Sequence, residues 1–166
     1  MSVLAEILAA KRDEVTLLHQ PQTRDAIHAA ALAAAPPRDF TAALRRGDRL
    51  AVVAELKRRS PSKGDLAPTL DASVTAAVYA AGGAAALSVL TDQVFFGGTI
   101  DDLQQARAAA PATPALRKDF VIDADQVFET RAIGADAMLL IVAAVPDRGV
   151  LAELHQLAHE LGLATL

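Results

Sequence analysis

The chain has 166 residues, of which 52% are hydrophobic and 22% charged, and its formal net charge at pH 7 is −4. This composition is typical of a globular protein with a buried core and excludes an intrinsically disordered chain. The basic residues are scattered apart from the segment KRRSPSK, so the sequence lacks the basic surface of a nucleic-acid-binding protein. The chain contains no cysteine, which excludes disulfides and thiolate chemistry and fits a reducing compartment.

Charged residues interrupt the first apolar segment, MSVLAEILAAKRDEV, within the span that the hydrophobic part of a signal peptide would need. The sequence also has no run of about 18 apolar residues, the length that a membrane-spanning helix requires. We therefore expect a cytoplasmic protein that binds neither membranes nor nucleic acid.

Residues 1–48 have the pattern of a helical extension. The first predicted helix covers residues 3–19, because one face carries residues at helical spacing: Leu4, Ile7, Leu8, Lys11, Val15 and Leu18. A second helix is predicted over residues 23–34, before Pro36 and Pro37. A short third helix is predicted in DFTAALRRGD, ending at Gly47.

Residues 49–166 alternate between short apolar runs and helical segments. The four apolar runs are LAVVAEL, AAALSVLTD, TPALRKDFVI and DAMLLIVAAV. The helices predicted after them cover residues 71–81, 99–110, 123–133 and 147–161. Strands that are apolar on both faces and alternate with helices indicate a parallel sheet covered by helices. The glycines in AAGGA, AIGAD and HELGLATL are expected to end helices. The spacing of the last one predicts that a fifth strand begins after it.

A (β/α)₈ barrel and a doubly wound sheet both fit this alternation. The dinucleotide-binding pattern G-x-G-x-x-G does not follow the first strand, which disfavours the doubly wound sheet. Polar residues instead follow three successive strands, and in a barrel such strand ends converge on one active site. These residues are Glu55, Lys57, Ser88, Asp92, Lys118 and Asp119.

Three of these side chains suit acid/base chemistry, although each also has a purely structural interpretation. Alternation along a strand places Val53, Glu55 and Lys57 on one face. Glu55 and Lys57 are interpreted either as a salt bridge that closes the strand or as groups that hold and protonate a substrate. Lys118 either reaches solvent at its strand end or acts as a general acid.

Two loops and one helix offer weaker indications. The segment SPSKG, with Ser60, could hydrogen-bond an anion, but it is not a P-loop. Adjacent Phe95 and Phe96 suit either loop packing or stacking on an aromatic substrate. His155 and His159 are spaced for zinc, but H-E-x-x-H is absent and a surface helix face is favoured, so no metal site is predicted.

Four longer segments, VVAELKRRSPSKGD, LSVLTDQVFFGGTIDDL, LRKDFVID and GADAMLLIVAAV, resemble the indole-3-glycerol phosphate synthase family in wording, order and spacing. The resemblance implies a (β/α)₈ barrel that follows a helical N-terminal extension. It also implies conversion of 1-(2-carboxyphenylamino)-1-deoxyribulose 5-phosphate to indole-3-glycerol phosphate in tryptophan biosynthesis. That reaction releases CO₂ and water and uses neither a metal nor an organic cofactor.

The same resemblance assigns site residues. Lys118 in RKDF corresponds to the family's general acid, and Lys57 in ELKRRSPS to the lysine that engages the substrate's anionic groups, with Glu55 as its acidic partner. Ser60 and Phe120 correspond to substrate-binding positions, and Leu139 to an apolar wall of the pocket. Phe96, in the loop after the second strand, joins the binding set as an aromatic surface.

Members of this family continue for about another hundred residues, consistent with the usual barrel size. The sequence therefore predicts the first half of a barrel, about four βα units, ending at the start of strand 5. A catalytically incomplete structural module is the alternative, and open sheet edges predict self-association of half barrels. The neighbouring phosphoribosylanthranilate isomerase is a third interpretation, disfavoured because its reaction needs a cysteine.

Overall fold

The computed structural model describes residues 2–45, 47 and 50–166. The chain begins with three helices, α1 (Val3–Leu18), α2 (Pro21–Ala33) and α3 (Phe40–Leu44). The Ser2 and Asp39 side chains cap α1 and α3. The third helix ends earlier than predicted, before Gly47. Arg46 and Asp48, which complete that predicted helix, lie outside the described residues, as does the predicted domain boundary between residues 48 and 49.

The remaining described residues form an α/β fold. Its strands are β1 (Val53–Leu56), β2 (Arg59–Ser60), β3 (Gly64–Asp65), β4 (Ala86–Leu90), β5 (Ala115–Lys118), β6 (Ala137–Met138) and β7 (Ala164–Thr165). Its helices are α4 (Ala72–Ala81), α5 (Gln93–Phe96), α6 (Ile100–Ala109), α7 (Ala124–Ala132) and α8 (Arg148–Glu160).

Over the described part of the chain, five strands form one parallel sheet in the order β1-β4-β5-β6-β7. Helices α4, α6, α7 and α8 connect these strands in turn. Successive parallel strands, each neighbouring the next along the chain, form the first part of a (β/α)₈ barrel. The predicted fold class is confirmed, and so is the fifth strand expected near the end of the sequence.

The two faces of the sheet bury different residues. Leu56, Leu87 and Val89 pack against α4 and α6 in the core between sheet and helices. On the opposite face, Ala86 and Leu116 pack with Phe40 of α3 near the amino ends of the strands. The extension thus covers part of the face that a complete barrel would enclose.

The fourth apolar run is only partly a strand. β6 is confined to Ala137–Met138, and the backbone N–H groups of Ala144 and Val145 both donate to the Ile141 carbonyl in a turn. The strand predicted over residues 136–145 is therefore wrong beyond its beginning. Ala144 and Val145 are buried against α8. A buried turn is as apolar in sequence as a buried strand, so the apolar run alone does not distinguish the two.

Glycines end the later helices as predicted. Gly134 and Gly162 follow α7 and α8 with φ of 82° and 78°, a conformation that disfavours residues with a Cβ. Each glycine turns the chain back toward the next strand.

Among the described residues, no helix combines the length and apolar character needed to cross a membrane.

Candidate active site

Glu55, Lys57 and Lys118 meet at the carboxyl end of the sheet. The Lys118 Nζ donates to Glu55 Oε2 at 2.8 Å, although β4 separates their two strands. The Lys57 Nζ donates to Glu55 Oε1 at 2.5 Å. Each of the three side chains is about one-third exposed, with values of 31%, 31% and 33% for Glu55, Lys57 and Lys118. A small molecule can therefore reach this triad.

The two lysines control the charge of Glu55. Burial alone would raise the pKa of Glu55, but hydrogen bonds and charge attraction from Lys118 and Lys57 outweigh it and lower the pKa. Glu55 is therefore a carboxylate at neutral pH. Two ammonium groups around one carboxylate leave a net positive charge, which favours an anionic ligand.

Two phenyl rings lie at the same end of the sheet. Phe96 ends α5, and Phe120 comes two residues after Lys118. Their ring centroids are 6.1 Å apart with the planes tilted by 35°. Both side chains are half-buried, so part of each ring stays accessible. Tilted aromatic pairs of this kind offer an apolar surface for a planar ring.

Ser60 and Leu139 come shortly after β1 and β6 along the chain. Ser60 lies in the β2–β3 hairpin, where its carbonyl and its Oγ both accept from the Lys63 backbone N–H at 3.3 Å. Leu139 follows Met138, which is buried on the helix-covered side. Alternation therefore places Leu139 on the same side as Lys118. The binding roles of Ser60, Phe96, Phe120 and Leu139 stay predictions.

Three of the six polar strand-end residues do not join the triad. Ser88 is buried within β4, in register with Glu55. Asp92 and Asp119 are 0% and 3% exposed and pair instead with Lys11 of α1. The Lys11 Nζ lies 3.1 Å from Asp92 Oδ2 and 2.9 Å from Asp119 Oδ1. The expectation that all these side chains converge on one site is wrong for both aspartates. Asp119 continues the alternation of β5 on the face of Arg117, opposite Lys118, and Asp92 lies beyond the end of β4, where its side chain caps α5.

Arg117 extends this buried ionic network. Its Nη2 lies 3.1 Å from Asp119 Oδ2 and 2.7 Å from Glu129 Oε2. Burial would raise the pKa of Asp119, but Arg117 and Lys11 outweigh it and lower the pKa to about 2. Burial would likewise lower the pKa of Lys11, yet Asp119, Glu14 and Asp92 raise it. Asp119 and Lys11 are therefore both charged at neutral pH.

Sequence reasoning included Lys11 in the α1 stripe but missed its role. A lysine within a row of apolar side chains indicates a buried ion pair, because a charged group is buried on an apolar face only when oppositely charged groups pair with it. His19 and His28 lie in predicted helices, and the sequence around them gives no indication of a role. They contact Asp123 and Asp125 at 3.1 and 2.7 Å and help to attach the extension to α7.

His19, Asp123 and Asp125 also form the one cluster with metal-ligand spacing found among the described residues, their ligand atoms lying within 4.8 Å of one another. Asp125 already pairs there with Arg24, whose Nε lies 3.2 Å away, and a nearby arginine disfavours a metal cation. His155, the first histidine of the HQLAH segment, lies 2.8 Å from the Thr165 hydroxyl.

Comparison with known proteins identifies the family. The family model described as indole-3-glycerol phosphate synthase matches residues 4–166. The chain belongs to the indole-3-glycerol phosphate synthase family. Members named indole-3-glycerol phosphate synthase are 49% identical in Nocardioides sp. and 46% identical in Leifsonia xyli, each over 100% of this chain. A third, from Burkholderia vietnamiensis, is 47% identical over 99% of the chain. The chain spans 63% of the length of each of these synthases.

Proposed function

We propose that the chain takes part in the synthase reaction, the conversion of 1-(2-carboxyphenylamino)-1-deoxyribulose 5-phosphate to indole-3-glycerol phosphate. The observation that carries the proposal is the half-buried Glu55 carboxylate, which bonds both Lys57 and Lys118 beside two phenyl rings. This substrate combines an aromatic ring with a carboxylate and a phosphate. The aromatic pair and the positively charged triad match those features.

Lys118 is proposed as the general acid. As the aromatic ring carbon bonds to the substrate's carbonyl carbon, the carbonyl oxygen gains negative charge and takes a proton from the Lys118 ammonium group. The carboxyl group then leaves as CO₂, and loss of water completes the indole ring. Glu55 fixes the direction of the Lys118 ammonium group through their 2.8 Å hydrogen bond.

The other residues bind and orient. Lys57 holds the substrate's anionic groups and takes part in proton transfer, while the Ser60 hydroxyl hydrogen-bonds the substrate. Phe96, Phe120 and Leu139 enclose its aromatic ring and reduce water access, which strengthens each electrostatic interaction. We propose that the reaction uses neither a metal nor an organic cofactor and takes place in the cytoplasm.

The direct test is a turnover assay by product indole fluorescence, which is sensitive because the chain has no tryptophan. The 166-residue chain is assayed at several concentrations with its mass recorded. If it gives no turnover, the assay is repeated after fusion to the remaining segment of the Nocardioides synthase. The absence of turnover from both forms would contradict the proposal.

In the active form, Lys118→Ala should lower kcat by about 100-fold or more with little change in KM, since a general acid acts mainly in the transition state. Arg12→Ala, an exposed change on α1, is the control and should keep the wild-type rate. An unchanged rate for Lys118→Ala would give Lys118 a structural role.

A further inference from the structure

Lys11 is almost completely buried, yet its ammonium group forms ion pairs with three carboxylates. It is 1% exposed, and its Nζ lies 2.7 Å from Glu14 Oε2, 2.9 Å from Asp119 Oδ1 and 3.1 Å from Asp92 Oδ2. An ammonium group has three N–H donors, and three carboxylates surround this one. Glu14 belongs to α1 itself, whereas the two aspartates follow β5 and β4.

Both aspartates also hold backbone amides of the aromatic residues. Asp92 Oδ1 accepts from the N–H groups of Phe95 at 2.7 Å and Phe96 at 3.2 Å. Asp119 Oδ1 accepts from the N–H of Phe120 at 2.8 Å. One lysine from the helical extension is thus linked, through one carboxylate each, to the segments that carry Phe96 and Phe120.

We propose that Lys11 is a positioning residue that sets the separation and tilt of the Phe96 and Phe120 rings. Its ammonium group joins two loops that follow different strands, and it contacts each loop within four residues of one of the two rings. That these rings bind substrate rests on the proposed function. The effect of Lys11 on the positions of the rings does not depend on it.

The two loops depend on Lys11 to different degrees. Asp119 also pairs with Arg117 and accepts from the Thr91 hydroxyl at 2.6 Å. For Asp92, Lys11 is the one cationic partner among the described residues. Loss of the ammonium group would therefore release the Asp92 loop, which includes α5 and Phe96, more than the Phe120 segment.

Fluorine NMR of the 166-residue chain tests this geometry without substrate. The chain has five phenylalanines, so fluorophenylalanine labelling gives five signals, assigned by single Phe→Leu changes. In Lys11→Met, the signals of Phe95, Phe96 and Phe120 should move, with Phe96 moving more than Phe120. Phe40, buried under the sheet, and Phe128, stacked on His28, are internal references that should stay.

Two further variants make the test specific. Arg12→Met removes a positive charge from the next, exposed position of the same helix and should give the wild-type spectrum. Asp92→Asn keeps an oxygen that accepts from the two amides but loses the charged link to Lys11, so Phe95 and Phe96 should move and Phe120 should stay. If Lys11→Met does not fold, Asp92→Asn decides the test. Five signals that all move together, or all stay, in the folded variants would overturn the proposal.

Enzyme kinetics provide the functional readout in the active form. Lys11→Met should raise KM by about tenfold with a smaller change in kcat, because displaced rings weaken substrate binding. Lys11→Arg should restore part of the affinity. If wild type binds no substrate, the proposed function fails while the NMR result still decides the positioning role. A KM unchanged despite moved rings would overturn the assignment of those rings to substrate binding.

Discussion

Adjacent residues of β5 serve different parts of the molecule. Lys118 points to the face that carries Glu55, while Arg117 and Asp119 point to the opposite face, toward α7 and α1. Strand alternation alone requires this division. The candidate acid is thus held by a strand whose other face is fixed through ion pairs, and its backbone has little freedom to move.

Asp119 makes the stability of the chain sensitive to acid. Its pKa is lowered to about 2, against about 3.9 for an unfolded aspartate, so its stabilising contribution is complete above pH 4. That contribution, about 2 to 3 kcal/mol, should be lost as the pH falls from about 4 to about 2. Urea unfolding at a series of pH values measures it. Asp119→Asn should flatten this part of the curve, and a variant with the full wild-type slope would contradict the assignment.

At the scale of elements, Arg58 attaches the end of β1 to the beginning of α6. Its Nη1 and Nη2 donate to the two oxygens of Asp102 at 2.6 and 2.7 Å. Asp102 Oδ2 also accepts from the Thr99 N–H at 2.8 Å, and the Asp102 N–H donates to the Thr99 hydroxyl oxygen at 3.1 Å, so the two residues form a capping box. One carboxylate therefore both starts the helix and holds it to the strand that carries Glu55.

Asp102→Ala should destabilise the fold by about 2 to 4 kcal/mol, because it removes a helix cap and leaves the Arg58 guanidinium without its partner. Chemical denaturation followed by circular dichroism measures the change. Asp101→Ala, at the neighbouring exposed position, is the matched control and should cost less than about 1 kcal/mol. Equal losses in the two variants would show that the Arg58 link contributes nothing.

Helices and strands with a clear hydrophobic periodicity could be predicted from the sequence, whereas elements fixed by loop contacts could not. The runs around Glu55, Ser88 and Lys118 gave the correct strands, and parallel pairing of those strands is enough to bring Glu55 to Lys118. The short helix α5 and the β2–β3 hairpin have too few residues for a pattern to form. The partners of Lys11 depend on which way α1 packs, and that information is absent from the local sequence.

At the scale of the whole molecule, the described sheet has two outer strands, β1 and β7. Apolar side chains are exposed beside both: Val52 is 56% exposed, Val53 36% and Leu166 60%. Unpaired strand edges with exposed apolar residues favour pairing with another chain. The self-association expected from the sequence stays a prediction, and the structure supplies residues with which to test it.

The 166-residue chain should sediment as a dimer or larger species at micromolar concentration, as measured by analytical ultracentrifugation. Val53→Lys, on the β1 face that carries Glu55, should weaken the association because pairing would bury the new charge. Val78→Lys is the control, since Val78 is 62% exposed and belongs to helix α4, not to a strand edge. A monomer that unfolds cooperatively would contradict the prediction.

The position of Lys11 also has a consequence for the order of folding. Its ammonium group can leave water at low cost only where Asp92 and Asp119 already stand side by side, and they do so only after β4 and β5 have paired. We therefore expect α1 to dock only after β4 and β5 have paired, although it is the first helix along the chain. Its docking would then complete the positioning of the two phenyl rings.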